Sequence, residues 1–104
     1  MRIAEVFVNG QLAGQLKEVV FEKKYSFEYF SKYRGDAVSI TMPVKQIRYE
    51  FDFFPPFFDG LLPEGYQLDG LLKIRKIDRN DFFSQLMAVG NDLVGNVTVK
   101  EVDE

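Results

Sequence analysis

The chain has 104 residues, 46% of them hydrophobic and 15% aromatic, and a formal charge of −3. That is room for one domain over residues 1–104, with a core held by burial alone, and the apolar content excludes disorder. With no cysteine and no histidine, disulfides, thiolate metal sites and the usual general base near neutral pH are excluded, and the mild acidity offers no pull toward nucleic-acid phosphate.

The start, Met1-Arg2-Ile3-Ala4-Glu5, reaches charge too early for a signal peptide. No apolar run approaches the roughly 18 residues of a membrane-spanning helix, so the expected location is the cytoplasm, with no membrane contact.

Residues 3–8 are rich in strand formers and run into Asn9-Gly10, the pattern of a strand entering a hairpin. Residues 12–22 return antiparallel, and Gly14 inside this strand marks a bulge or a close approach. Residues 25–29 alternate aromatic with polar, which predicts a third strand. A polar loop, 31–36, precedes a fourth strand at 38–42 that Pro43 stops, and residues 44–52 are too mixed to assign.

The run Phe53-Phe54-Pro55-Pro56-Phe57-Phe58 argues against a central strand, because each proline lacks a ladder donor. A short helical turn starting near Pro56, with Leu61 and Leu62 as its apolar anchor, suits a proline at a first helical position. After Pro63, residues Tyr66, Leu68, Leu71, Leu72 and Ile74 fit a helix, with Lys73, Arg75 and Lys76 near its C-terminal dipole end. Asp78 is placed to cap the next helix, with Asp81 three residues on. Phe82, Phe83, Leu86, Met87 and Val89 form its apolar stripe, and Gly90 serves as a left-handed stop. A last strand covers 96–102. The expected fold is α+β, a small twisted antiparallel sheet of about five strands with two or three helices inserted before the last one.

In order along the chain, several motifs resemble the N-terminal subdomain of the HipA family of serine/threonine kinase toxins. They are the hairpin at residues 8–16, the Ser39-Ile40-Thr41-Met42-Pro43 segment, and Phe57-Phe58-Asp59-Gly60-Leu61-Leu62-Pro63-Glu64-Gly65. Asp81-Phe82-Phe83 and the turn Gly90-Asn91-Asp92-Leu93-Val94-Gly95 complete the set. In that family the phosphate loop, the catalytic Asp and the metal-binding Asp follow this subdomain. The sequence here has no Gly-x-x-x-x-Gly-Lys loop and, lacking histidine, no His-x-x-Asp catalytic loop. The resemblance therefore implies a non-enzyme that needs no cofactor and no metal. With its Met start and the charged tail at 100–104, the chain resembles the small antitoxin of the three-gene HipBST systems, which neutralises a shortened kinase while a helix-turn-helix protein handles DNA. The implied partners are a HipA-like kinase on a separate chain and, within the same complex, that DNA-binding protein. A scaffold without inhibitory action and an N-terminal part of a full-length toxin are the alternatives.

The candidate partner-binding residues are Phe57, Phe58, Leu62, Pro63, Glu64, Gly65 and Tyr66, with Tyr66 as the aromatic anchor. The same residues also read as a core corner and an ordinary helix start. Asp59 with Glu64, and Asp78 with Asp81, have the look of paired catalytic carboxylates, but Asp and Glu are common at helix starts, which accounts for them without chemistry. Two basic patches, Lys23, Lys24, Lys32 and Arg34, and the run from Lys73 to Arg79, read as solvated faces or phosphate contacts.

Overall fold

A computed structural model describes residues 1–93 and 95–102. Val94 of the second glycine turn, and Asp103 and Glu104 of the charged tail, lie outside the described residues. The strands are β1 (Arg2–Val8), β2 (Gln11–Val20), β3 (Lys24–Tyr29), β4 (Arg48–Phe51) and β5 (Val97–Val102). Between β4 and β5 come the helices α1 (Pro56–Asp59), α2 (Gly65–Arg75) and α3 (Phe82–Val89). All pairings are antiparallel, in the order β4-β3-β2-β1-β5, so the α+β expectation holds, with three helices before the closing strand.

The first hairpin is tight because Asn9 and Gly10 both take positive φ, 52° and 80°, which matches the strand twist in a two-residue turn. The bulge falls one residue before Gly14. Val6 pairs with Gly14 and Phe7 with Leu12, leaving Ala13 as the extra residue. Gly14 itself answers to close approach, since a Cβ there would stand 2.3 Å from the Glu28 carbonyl oxygen.

One sheet face carries Ala4, Val6, Val8, Leu16, Tyr25, Phe27, Tyr29, Val97 and Val99, all buried, against Phe58, Leu62, Phe83 and Leu86. The register aligns Arg48, Glu28, Gln15, Glu5 and Lys100 across the five strands on the opposite face. None of these five is buried, so the alternation in β1 to β3 separates a packed side from a wet one.

Three local expectations are corrected. Residues 38–42 form a turn closed by a lone Ser39–Met42 bridge, and the fourth strand is Arg48–Phe51 instead. The Tyr29 hydroxyl, reaching up from β3, accepts from the Val38 amide at 2.8 Å and donates to the Met42 carbonyl. The Ser39 hydroxyl accepts from the Thr41 amide at 3.2 Å. These side chains satisfy backbone groups that a ladder would otherwise use, and Ile40 at the tip is 98% exposed.

The cap of α3 is Asp81, whose carboxylate accepts from the Ser84 amide at 3.1 Å. Asp78 instead folds the preceding loop, accepting from the Asn80 amide at 2.8 Å. Gly90 is right-handed, with φ −55°, and its smallness serves contact with β5, since a Cβ would sit 2.2 Å from the Val99 carbonyl oxygen. The left-handed stop belongs to α2, at Lys76 with φ 55°.

A charged clamp ties α3 to the sheet. The Arg2 guanidinium donates to both Glu18 carboxylate oxygens at 2.6 and 2.8 Å, to Asp81 Oδ1 at 2.8 Å and to Ser84 Oγ at 2.7 Å. It also lies 5.0 Å from the ring centroids of Phe21 and Phe83, within cation–π range. The hydrogen bond to Glu18, then those to Asp81, hold the Arg2 proton more tightly than usual despite burial. Burial alone would push the Asp81 carboxyl up. Hydrogen bonds from Arg2 and from the Ser84 hydroxyl and amide outweigh it and leave the carboxyl below its ordinary value. Beside the clamp, burial first and the Glu18 charge second push the Tyr25 hydroxyl up to about 12. Among the described residues no buried side-chain polar atom lacks a partner, which is what makes a semi-buried charge cluster tolerable.

Candidate functional site

The segment singled out above divides by depth. Phe58 is fully buried, 5.9 Å from the Phe27 ring and 5.2 Å from that of Phe57. Leu62 is buried as well. These two anchor the segment from beneath. Phe57 and Pro63 are half-buried, while Glu64 and Gly65 are exposed. Tyr66 is 95% exposed.

The local chain explains this order. Pro55 and Pro56 start α1 without needing their missing amides, and α1 ends after one turn as the Leu61 and Leu62 amides bond back to the Phe58 and Asp59 carbonyls, each at 3.1 Å. Glu64 is extended at the N-cap of α2, with no side-chain cap bond. Gly65 follows with φ +59°, a conformation glycine adopts without a Cβ penalty. The chain thereby swings outward, so Tyr66 leaves the protein at the head of α2 instead of folding under it.

The structure also joins two motifs that are far apart in sequence. Leu61, Leu62 and Pro63 share a groove of about 510 Å³ with Val89, Asp92 and Leu93. The Leu-Leu-Pro turn and the glycine turn after α3 are thus walls of one concavity that opens beside Gln67 of α2. A second, smaller apolar hollow of about 190 Å³ lies on the far side of Phe57, among Met42, Tyr49, Phe51, Pro55 and Pro56.

Among the three described helices, α2 has the least burial. None of its eleven residues is buried. Leu68, Leu71 and Leu72 are half-buried, and Ile74 is 79% exposed. Its one ion pair among the described residues, Asp69 to Arg79 at 2.7 Å, is itself exposed and contributes little. Ile74, the mid-helix Gly70 and the exposed Phe53 are surface features that a search for one contiguous motif passes over. The available signal at Gly70 was a glycine inside a helical pattern.

The paired carboxylates do not converge on a catalytic centre. Asp81 is committed to Arg2 and Ser84, and Asp78 to its own loop. Among the described residues no three of His, Cys, Asp and Glu gather as a metal site. What the arrangement presents is an exposed aromatic ring and two apolar hollows.

No helix among the described residues is long and apolar enough to cross a membrane. The family model for the HipA N-terminal domain matches residues 4–100. A solved structure of the N-terminal domain of HipA toxin is similar with a TM-score of 0.78 and 28% identity, covering 100% of this chain and 95% of that one. An uncharacterized protein of Haemophilus influenzae is 30% identical over 101 residues, which is 97% of this chain and 93% of the relative. With a family match running from β1 into β5 over the fold just described, this chain belongs to the HipA N-terminal domain family.

Proposed function

We propose that this chain is a non-catalytic antitoxin that binds a HipA-like serine/threonine kinase carried on a separate chain and neutralises it. The observation that carries this reading is Tyr66, an aromatic ring 95% exposed at the head of a helix with no fully buried residue. Further support comes from the Haemophilus influenzae relative, matched over 93% of its own length, which is a protein of nearly the same size. Phe57, Pro63, Glu64, Gly65 and Tyr66 form the contact surface, and Phe58 and Leu62 hold it rigid from below. Inhibition by occupancy requires only preferential binding to one state of the kinase, so no catalytic group, metal or cofactor is needed. Under this reading the chain works in the cytoplasm beside its kinase.

Co-expression tests it. The chain should rescue cells from a short HipA-like kinase encoded beside it and co-purify with that kinase; failure of both sinks the reading. Tyr66→Ala should abolish rescue while leaving the far-ultraviolet circular dichroism unchanged, and unchanged rescue would remove Tyr66 from the interface.

A scaffolding role, joining the kinase to a helix-turn-helix DNA-binding protein, is the second reading. The nearly bare Ile40 at its turn and the apolar hollow beside Thr41 and Phe57 favour it, as a surface separate from α2 for a second partner. A kinase assay separates the two, since a scaffold binds without lowering phosphorylation.

A further inference from the structure

Along α2, residues four apart form a ridge, and Tyr66, Gly70 and Ile74 make one such row. Its two ends are apolar and nearly bare, 95% and 79% exposed. They stand about 12 Å apart along the axis, at about 1.5 Å of rise per residue. Between them Gly70 leaves a notch. A Cβ at Gly70 would meet nothing within 4 Å, and its φ is not positive, so neither packing nor backbone geometry in this chain calls for glycine. A glycine inside a helix is unfavourable in backbone entropy, and close approach by something outside the chain is the remaining physical use for it.

The charge on this helix says what kind of surface would approach. The chain as a whole carries −3, yet the C-terminal end of α2 and the turn after it carry Lys73, Arg75, Lys76 and Arg79 against Asp69 and Asp78, while Glu64 stands at the opposite end. Asp69 is already paired with Arg79, and among the described residues Lys73, Arg75 and Lys76 have no ion-pair partner. A basic helix end on an acidic protein selects an acidic counterpart and orients the encounter.

The geometry points to the Tyr66–Gly70–Ile74 row as a docking ridge for an acidic, apolar-floored groove on the kinase chain, with partner backbone seated against Gly70. This rests on the kinase-binding reading and extends it from one anchor to the whole outer side of α2. Tyr66 and Ile74 fill two apolar sockets, and Lys73 and Lys76 face carboxylates at the groove rim.

The experiment measures binding of this chain to the isolated HipA-like kinase chain, with Gly70→Ala, Gly70→Leu and Lys73→Glu/Lys76→Glu alongside the wild type. Both Gly70 variants should melt at or above the wild-type temperature, because the helix gains propensity and a Cβ at this position meets nothing within 4 Å. Gly70→Leu should nevertheless bind at least about 30-fold more weakly, a loss on the scale of an interface hot spot, and Gly70→Ala should fall between. The charge-reversed variant should associate about tenfold more slowly in low salt, with the difference closing as salt screens it. Stability rising while affinity falls is a combination that a purely structural glycine does not produce. If the wild type binds and Gly70→Leu binds equally well, the ridge is wrong and the kinase reading stands. If the wild type does not bind, both fall. A wild-type dimer that Gly70→Leu dissolves would assign the ridge to self-association and overturn it as a kinase site.

Discussion

Two helices of similar length, α2 and α3, have opposite relations to the rest of the chain. α3 has eight residues, an Asp81 cap and three buried side chains, Phe83, Gln85 and Leu86. α2 has eleven residues, no side-chain cap, a glycine in its middle and no buried side chain. An isolated helix of this length is marginal in water, so α3 exists because the core requires it, while α2 is held mainly by its half-buried leucines. The contrast teaches which helix the core holds and which it leaves largely at the surface. The α3 side is committed to holding the domain together, and the α2 side has apolar surface left over for something else.

That contrast can be broken most severely at the clamp. Arg2→Met leaves the Glu18 carboxylate, whose side chain is only 2% exposed, without its cation, and removal of one partner of a buried pair costs about 3–5 kcal/mol. Urea unfolding should show a loss of that size. A loss under about 1 kcal/mol would mean that the clamp behaves as a surface ion pair and that α3 is docked by its apolar stripe alone.

Asp81→Asn should cost about 1–2 kcal/mol at neutral pH, since Asn can still cap the helix but gives up the charge-assisted contacts to Arg2 and the Ser84 hydroxyl. Its pH dependence sharpens the assignment. The carboxyl is held below its ordinary value of 3.8 in the folded chain, so its stabilising contribution is present above that value and is lost as pH falls through the lower folded value. The wild-type and Asp81→Asn unfolding curves should therefore differ above pH 3.8 and converge on further acidification. A difference that persists at the lowest pH would separate the cap from the charge.

On α2, Gly70→Ala should stabilise the isolated chain by about 0.8–1 kcal/mol, the ordinary helix-interior difference. A destabilisation would reveal an internal reason for the glycine. The smallest effect belongs to Tyr66→Ala, within about 0.5 kcal/mol of wild type, because a bare ring contributes little to folding. Native-state hydrogen exchange should reproduce the contrast directly, with α2 amides opening at lower free energy than those of α3.

How far the sequence could be read depended on whether a pattern had one physical cause. In β1 to β3 the alternation at Ala4-Glu5-Val6 and Phe27-Glu28-Tyr29 reflects a packed face and a wetter face, so those strands were legible. Pro56 and the Asn9-Gly10 turn were legible because backbone restriction acts locally. Residues 38–42 alternate as well, but there the alternation comes from a turn that buries Val38 and Met42 and exposes Ile40. A hydroxyl from Tyr29, nine residues back, decides it. β4 was missed because Arg48–Phe51 is a four-residue edge strand with no buried residue, and pairing with β3 is what makes it a strand.

In the candidate site, the sequence marked 57–66 as one segment. The fold divides that segment by depth and sets its Leu-Leu-Pro turn against Val89, Asp92 and Leu93. By itself, then, the sequence determined the composition that excludes histidine and cysteine chemistry, the α+β order and the family, since these follow from local preferences and from motifs kept in register along the chain. Only tertiary structure decided that Phe58 faces Phe27 and Tyr66 faces water, that Asp81 rather than Asp78 caps α3, and that Gly14 and Gly90 are glycines for closeness while Gly70 has no such neighbour. Each of those depends on what lies across a gap in space, and chain position alone does not carry that information.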